Sequence, residues 1–551
     1  MTTETDRLFH KNKQYDALYN DMDDTIHLVT DELDDDIDSQ SDNEKNLGDV
    51  SLFLLTLCLC IGAFLAALDS SIVSTIFNII GTEFQSSNLA VWVITSYLLS
   101  ASAFQPMYSK ISDIVGRKTT LVFILTFFLI GSVGCGAAQN MVQLGIFRAI
   151  AGLGGSGAMV MSSVVIHDLV EMKKRGQYQS YINMSQTVGA AVGAPLGGMI
   201  NEMFGWRHCF YLNVPPCLFI LYVYIYRLQN YNLSEHWSTN LASKCKRIDY
   251  FGALLLLIAN TTFVIATSFG GNTLEWTNPL IIMLLVLSPI FFVLFAINEF
   301  YWASYPMISK ELLKNRNVVA VCLNNFFLCN STMTLIFLVP QFFMGVLGYP
   351  SSAAGLWTFS RTACVALGCW VAGKILAVKG RYYRYILFSM VIQLIATILT
   401  YSWTPSTPIW SMIFTMSFEG YAFGSVFVFT MVALVADIDH QETASATSML
   451  FLCRSTGWLM GGSLSAAILQ ASLKENLIRS ISGPQAKEII EFVRTSISKI
   501  RLLSPSIQII VIKSLQDAIH SSIYYAVITS VLCLVVSCFM KNCDLLHKQS
   551  K

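Results

Sequence analysis

Four charged residues lie where so apolar a chain has little room for them. Asp69, Arg148, Arg361 and Glu419 each fall inside a run of about twenty mostly apolar residues, the length that crosses a bilayer core. A charge at mid-membrane costs a few kcal/mol even on the gentler scales, so each must face a polar interior or a partner. Carboxylates in such a place can hold either a proton or a cation, which is chemistry suited to ion-coupled movement. Arg148 is expected to set how readily Asp69 takes a proton. A plain structural ion pair between the two is the alternative, and it is compatible with function, since protonating Asp69 would break it. Two other polar features have quieter readings. Arg454, near the inner end of a later run, is expected to snorkel, and His167-Asp168 reads as helix-end solvation, with a proton relay as the alternative.

A second constellation is the turn Ser109-Lys110-Ile111-Ser112-Asp113-Ile114-Val115-Gly116-Arg117-Lys118, wedged between two apolar runs. One acid and three bases in ten residues place it in water. Its echo is Gly373-Lys374-Ile375-Leu376-Ala377-Val378-Lys379-Gly380-Arg381-Tyr382, with Lys, Ile, Gly and Arg in the same places and Ala377 where Asp113 would be. One turn used twice implies two related halves, with a weaker latch in the second. Gly189, Gly193, Pro195, Gly197 and Gly198 put small residues at fourfold spacing with a helix-bending proline, a pattern for close helix approach. Gly457, Gly461 and Gly462 repeat it later.

The elements that must position these residues are membrane helices. Apolar residues make up 54% of the chain and charged residues 13%, outside the range of a soluble domain. Apolar runs predict about fourteen spans, with cores near 52–73, 89–108, 120–138, 143–167, 181–200, 213–228, 250–270, 279–298, 318–344, 353–373, 384–402, 409–435, 444–470 and 521–540. With the N-terminus inside, the inner loops collect Lys110, Arg117, Lys118, Lys173, Lys174, Arg175, Lys310, Lys314, Arg316, Lys379 and Arg381, whereas the short outer loops hold only Arg207. Both termini are therefore expected in the cytosol. The zero net charge conceals an acidic tail: residues 1–50 hold fifteen acids and four bases, a composition expected to be disordered, and no secretory signal precedes the first run. The expected organisation is a tail (1–50), an N-terminal six-helix half (51–228), an inner loop with two linker helices (229–317), a C-terminal six-helix half (318–540) with a long outer loop (471–519), and a cytosolic end (541–551). In that loop Ile489, Phe492, Val493, Ile497 and Ile500 recur at helical spacing, as in a helix lying on the membrane surface.

Other chemistries find no support. The fourteen Cys mostly lie in apolar runs without zinc spacing, so no metal site is expected. Nucleophile elbows, zinc-protease motifs, P-loops and DNA-binding basic helices are missing, which argues against enzyme and nucleic-acid readings. Gly152-Leu-Gly154-Gly155-Ser-Gly157 matches a dinucleotide fingerprint without its βαβ setting. The glycosylation sequons at Asn183, Asn260 and Asn330 fall inside spans, and that at Asn232 on the inner side.

The charged turn, with Asp113, Gly116, Arg117 and Lys118, resembles the signature of the major facilitator superfamily. Arg148 with its following glycines resembles the family's Arg-plus-Gly motif, the glycine-proline stripe resembles the motif typical of antiporters in the superfamily, and Leu68-Asp69-Ser70-Ser71-Ile72-Val73 resembles the Asp-containing motif of its fourteen-helix drug:proton antiporter branch. Ala103-Phe104-Gln105-Pro106-Met107-Tyr108 and Arg454-Ser455-Thr456-Gly457 resemble the wording of fungal vacuolar basic amino acid transporters. The resemblance implies an all-α major facilitator fold, two six-helix halves plus two central helices, working as a monomer in the lipid bilayer with no cofactor beyond a proton gradient. It implies an inner gate at Asp113, Gly116, Arg117, Lys118, Gly380 and Arg381, and exchange of protons for a small cationic substrate (Lys, His or Arg) into the vacuole. A plasma-membrane multidrug:proton exporter and a non-transporting nutrient sensor or scaffold are the alternatives.

Overall fold

A computed structural model describes residues 51–84, 92–105, 107–170, 172–229, 249–270, 274–303, 310–349, 351–379, 381–436, 438, 442–481, 490 and 505–542. The acidic tail, Asn232, Gly380 and the loop positions Ile489, Phe492, Val493, Ile497 and Ile500 lie outside them. The described elements are helices: α1 (Leu52–Glu83), α2 (Trp92–Phe104), α3 (Met107–Val115), α4 (Arg117–Ala137), α5 (Met141–Leu169), α6 (Met172–Phe204), α7 (Trp206–Tyr211), α8 (Val214–Tyr226), α9 (Tyr250–Phe269), α10 (Pro279–Ile297), α11 (Lys310–Lys314), α12 (Arg316–Gln341), α13 (Ser351–Lys379), α14 (Tyr383–Tyr401), α15 (Ile409–Val435), α16 (Thr443–Ser480) and α17 (Pro505–Ser537).

Local chemistry sets many of the boundaries. Asn140, Asp249, Asn278 and Asn315 cap α5, α9, α10 and α12 by accepting a backbone N–H of the first turn. Gly116 and Gly205 precede α4 and α7 with φ of 89° and 88°, left-handed values that cost an L side chain about 1–2 kcal/mol. Pro340 interrupts the bonding of α12 near its end, and a π turn follows at Phe342–Val346.

Against the fourteen predicted spans, eleven helices among the described residues reach the length and hydropathy of a crossing. The run at 89–108 is instead the shorter α2 followed by α3, divided beside Gln105. The runs at 181–200 and 444–470 are the middle of α6 and the first part of α16, helices that extend to 33 and 38 residues. Their glycines and hydroxyls, needed for packing, dilute their hydropathy. The ends of the predicted 471–519 loop are helical too, continuing α16 to Ser480 and starting α17 at Pro505. Leu473, Leu477, Val511, Leu515 and Ile519 bury one face of each extension against Phe342, Phe343 and Trp403, and Asn476 Nδ2 donates to the Ser514 carbonyl at 3.3 Å.

The helices pack as two sets. α1 lies along α6 and α4 along α5; α12 lies along α16 and α13 along α15. The linker α9 docks on α2 through Asn260 Nδ2, which donates to Ser102 Oγ at 3.2 Å. The sequon asparagines 183, 260 and 330 are all buried. Taking the Lys/Arg-rich loops as the inner face, the sets meet at their inner ends. A Cβ on Gly373 of α13 would lie 2.7 Å from Ser180 Oγ of α6, and one on Gly176 would lie 2.7 Å from Leu376 Cδ1. Met107 and Leu452 join a second seam there with Ala253 and Leu256 of α9. The inner ends of the two sets are thus in direct contact.

Candidate functional site

Asp69 on α1 and Arg148 on α5 form an ion pair at 2.6 Å, with the two side chains 2% and 1% exposed. Arg148 Nε also donates to the Val93 carbonyl at 3.1 Å, and its guanidinium lies 4.5 Å from the Tyr97 ring centre. Asn213, fully buried at the start of α8, donates from Nδ2 to Asp69 Oδ1 at 3.3 Å. The acid therefore has two donors on two different helices. A proton arriving at Asp69 cancels the charge on which Arg148 rests, so protonation and helix packing are linked here. Asn213 carried a usable sequence signal, the only strongly polar side chain between Phe210 and Pro215, yet nothing in its spacing tied it to Asp69.

The C-terminal set repeats the theme with different helices. Glu419 on α15 takes Arg361 Nε of α13 at 2.5 Å and Nη2 at 3.3 Å. It also accepts from Thr332 Oγ1 of α12 at 3.0 Å and Gln393 Nε2 of α14 at 3.3 Å. Arg361 keeps 13% of its side chain exposed while Glu419 keeps 3%, so a cation could reach the acid by displacing the arginine. Asp69, Arg148, Arg361 and Glu419 are thus gathered into two pairs, one in each set.

Arg454 departs from its sequence reading. It does not snorkel: at 2% exposure it points inward, donating from Nε to Asn325 Oδ1 at 2.8 Å and from Nη2 to the Phe427 carbonyl at 3.0 Å. The Phe427 ring lies 3.6 Å from the guanidinium carbon and draws the cation off the solvent path.

At the inner face Gly116 turns the chain so that Arg117 folds back into the protein. Arg117 pairs with Asp113 at 2.7 Å and, through Nε, with Asp168 at 2.7 Å, and it also bonds Ser112 Oγ. Lys118 Nζ donates to the Ile225 carbonyl at 2.8 Å, tying α4 to the end of α8. Asp168 is therefore a second acid of the latch; helix-end solvation undervalues it. In the second copy Ala377 offers no carboxylate and Arg381 is exposed.

The glycine stripe divides by face. A Cβ on Gly193 would come within 2.5 Å of Ser71 Cβ and 2.8 Å of the Leu68 carbonyl, and one on Gly197 within 3.0 Å of Ile72, so these glycines let α6 touch α1. Gly189 meets the Phe64 carbonyl in the same way, whereas Gly198 faces open space and does not contribute. Pro195 lies in the exposed face of α6. Ser71 Oγ and Ser185 Oγ close the seam by donating to the Ala190 and Cys60 carbonyls, each at 2.7 Å. Gly457 and Gly461 press on the Phe326 and Asn330 carbonyls likewise.

Helix sets that close over buried, paired charges define a class, the polytopic membrane transporter. The chain matches the Major Facilitator Superfamily over residues 59–462 and belongs to that family. It is 33% identical over 469 residues to "Multidrug resistance protein fnx1" of Schizosaccharomyces pombe, which covers 84% of this chain and 87% of that protein. It is 31% identical over 496 residues to "Vacuolar membrane amino acid uptake transporter fnx2" of the same yeast (90% and 85%). It is 28% identical over 466 residues to "Vacuolar basic amino acid transporter 2" of Saccharomyces cerevisiae (83% and 98%). Among solved structures, the proton:xylose symporter XylE superposes with a TM-score of 0.56 at 14% identity, covering 91% of this chain and 99% of that one. The human organic anion transporter MFSD10 gives 0.54 at 12% identity, covering 88% and 99%. At such identities the likeness carries the fold alone. The chain is accordingly a multi-pass transporter of the superfamily, and its relatives agree with the drug:proton branch that its motifs resemble.

Proposed function

We propose that the protein is a proton-coupled antiporter that moves basic amino acids from the cytosol into the vacuole by alternating access. The observation that carries this reading is the pair of buried acid–arginine contacts, Asp69–Arg148 and Arg361–Glu419, one in each helix set. Each acid can hold a proton or yield to a cationic group, and neither is spent on a metal or a covalent step. Exchange of one monovalent cation for one proton moves no net charge, so only the pH gradient drives it, at about 1.4 kcal/mol or tenfold accumulation per pH unit. Two relatives, one a vacuolar membrane amino acid uptake transporter and the other a vacuolar basic amino acid transporter, support the substrate class and the membrane.

Asp113, Arg117 and Lys118 belong to the inner gate in this reading, with Asp168 added to them; Gly116 shapes the turn. Gly380 and Arg381 form the weaker second half of that gate. The N-terminal half runs over 51–228 and the C-terminal half over 318–540, each rocking as a unit within a monomer.

The test is uptake by purified protein in proteoliposomes with an imposed pH gradient, scanned over lysine, arginine, histidine and organic cations. Gradient-dependent uptake of lysine, abolished by collapsing the gradient, is the expected result; no amino acid uptake under any gradient would sink the reading. The description of fnx1 as a multidrug resistance protein favours a second reading, a plasma-membrane exporter of cationic drugs. A fluorescently tagged chain at the cell surface, with drug uptake in the same vesicles, would select it.

A further inference from the structure

Arg454 is a buried cation that the antiport scheme leaves without a task. Arg117, Arg148 and Arg361 each meet a carboxylate, but among the described residues none pairs with Arg454, and its Nη1 has no hydrogen-bond partner. The rest of the group is held firmly: Nε on Asn325, Nη2 on the Phe427 carbonyl and on Thr430 Oγ1 at 3.4 Å, with the rings of Phe427 and Phe451 at 3.6 and 5.3 Å. Aromatic faces offset part of the charge's desolvation, yet they leave the Nη1 hydrogens unmet. A buried unmet donor on a charged group is costly, because its lost hydration is not replaced. A guanidinium fixed on one edge, with its remaining donor unmet, can receive a planar anion once the site is uncovered.

Its position says which anion. Asn325 lies seven residues before Thr332 on α12, and Thr332 binds Glu419. Phe427 lies eight residues beyond Glu419 on α15. At 1.5 Å per residue the guanidinium therefore sits about 10–12 Å from the Glu419 carboxylate, toward the inner face and on the same two helices. An extended lysine separates its carboxylate from its side-chain ammonium by about 7 Å, and a charge-assisted contact adds about 3 Å at each end, about 13 Å in a straight line and about 10–12 Å once the contacts bend out of line. The two sites together match one basic amino acid laid along the C-terminal set. Leu452, two residues before Arg454, is part of the closed inner seam with Met107, so parting of the inner ends would uncover Arg454 to the cytosolic side.

We propose that Arg454 binds the α-carboxylate of the substrate when the transporter is open inward, and so separates amino acids from organic cations that lack a carboxylate. The proposal rests on the basic amino acid reading for its substrate class. It is tested with the full-length chain in proteoliposomes, comparing lysine with cadaverine, which is the same carbon chain without the carboxylate. The wild type is expected to prefer lysine. Arg454→Gln is expected to raise the KM for lysine at least tenfold but not that for cadaverine, and Arg454→Lys to recover part of the loss. A lysine KM within twofold of wild type in a folded Arg454→Gln protein overturns the proposal. Should that variant not fold, Asn325→Asp supplies a built-in carboxylate beside the guanidinium. It is expected to elute as a folded protein and to lose lysine binding, and unchanged lysine affinity overturns the proposal equally. If the wild type moved no amino acid at all, the substrate reading would fall separately, and the anion site would be read from thermal stabilisation of the detergent-solubilised protein by acetate and by chloride. Stabilisation by acetate that disappears in Asn325→Asp supports a carboxylate site; none, or stabilisation by chloride alone, overturns it.

Discussion

Replacing Asp69 with Asn removes the anion 2.6 Å from Arg148 and leaves the side chain's size unchanged. Both partners are buried, so Arg148 becomes an unpaired buried charge, a loss of about 3–5 kcal/mol when one member of such a pair is deleted. The new amide oxygen still accepts one bond, and the Val93 carbonyl and the Tyr97 ring remain in place. These keep the expected cost near the low end, about 3 kcal/mol. That is still a large share of the ~5–15 kcal/mol that holds a typical domain together. Adding Arg148→Gln removes the orphaned charge, so the double variant is expected to be more stable than Asp69→Asn alone, with a coupling of about 2–3 kcal/mol.

Transport separates structure from mechanism. Neither variant can carry a proton at position 69, so gradient-driven accumulation of lysine, tenfold per pH unit in a one-for-one exchanger, is expected to vanish in both. Lysine–lysine counterflow without a gradient is expected to persist in the double variant. The assays are thermal unfolding in detergent and labelled lysine uptake in proteoliposomes with and without a pH gradient. Wild-type stability of Asp69→Asn would refute the energetic argument, and full gradient-driven uptake by either variant would refute the proton role.

At the proposed inner gate, Asp113→Asn and Asp168→Asn are each expected to slow transport severalfold, since each removes one of two acids at 2.7 Å from Arg117, while substitutions at Ala377 change it less; equal effects in uptake assays would remove the asymmetry. Gly193→Val forces apart helices that touch within 2.5 Å of the new Cβ and is expected to destabilise by several kcal/mol, whereas Gly198→Ala, facing open space, leaves the detergent melting temperature within a degree or two. On the outer side, the Arg207 hydrogen bond, with the Trp206 indole assisting, holds the Glu83 carboxyl below the usual glutamate range. A lowered folded value means the contact stabilises above the unfolded pKa, about 4.3, and fades as the pH falls through the folded one. Glu83→Gln should therefore melt slightly lower than wild type from pH 8 to pH 5, the difference closing only below about pH 4; a difference that closes between pH 7 and 5 would contradict the assignment.

Much of this was legible because membrane helices announce themselves. A charge inside an apolar run must find a partner, and Asp69, Arg148, Arg361 and Glu419 do so in pairs. The repeated turn and the glycine spacing pointed to two related helix sets, and Gly189 with Gly457, and Gly193 with Gly461, make matching contacts on α1 and α12. What the sequence concealed was depth and direction. Arg454 could be placed near a helix end, but its turn toward Asn325 depends on three helices meeting. Asp168 adjoins a basic loop, so its bond to Arg117 hides behind the ordinary look of a solvated helix end. The outer extensions of α16 and α17 were averaged away by their charges, although Leu473, Leu477, Val511 and Leu515 repeat at helical spacing.

The matching glycine contacts also expose where the two sets diverge. The spacing from Phe64 to Phe326 and from Leu68 to Asn330, the carbonyls under the paired glycines, carries Asp69 onto Ser331. Ser331 is buried and spends its hydroxyl on Ser530 and the Ala526 carbonyl rather than on an arginine. The C-terminal set has therefore moved its acid from the first helix to the fourth, where Glu419 stands between Arg361 on one side and Thr332 and Gln393 on the other. An acid on the first helix is braced by its own set through Asn213 and the tight α1–α6 seam, and it can release a proton without a cation replacing it. One on the fourth helix, with a partly exposed arginine over it, is open to a competing cation. The two acids are thus unequal in access, and in the proposed antiport this inequality favours Asp69 for the proton and Glu419 for the substrate's charge.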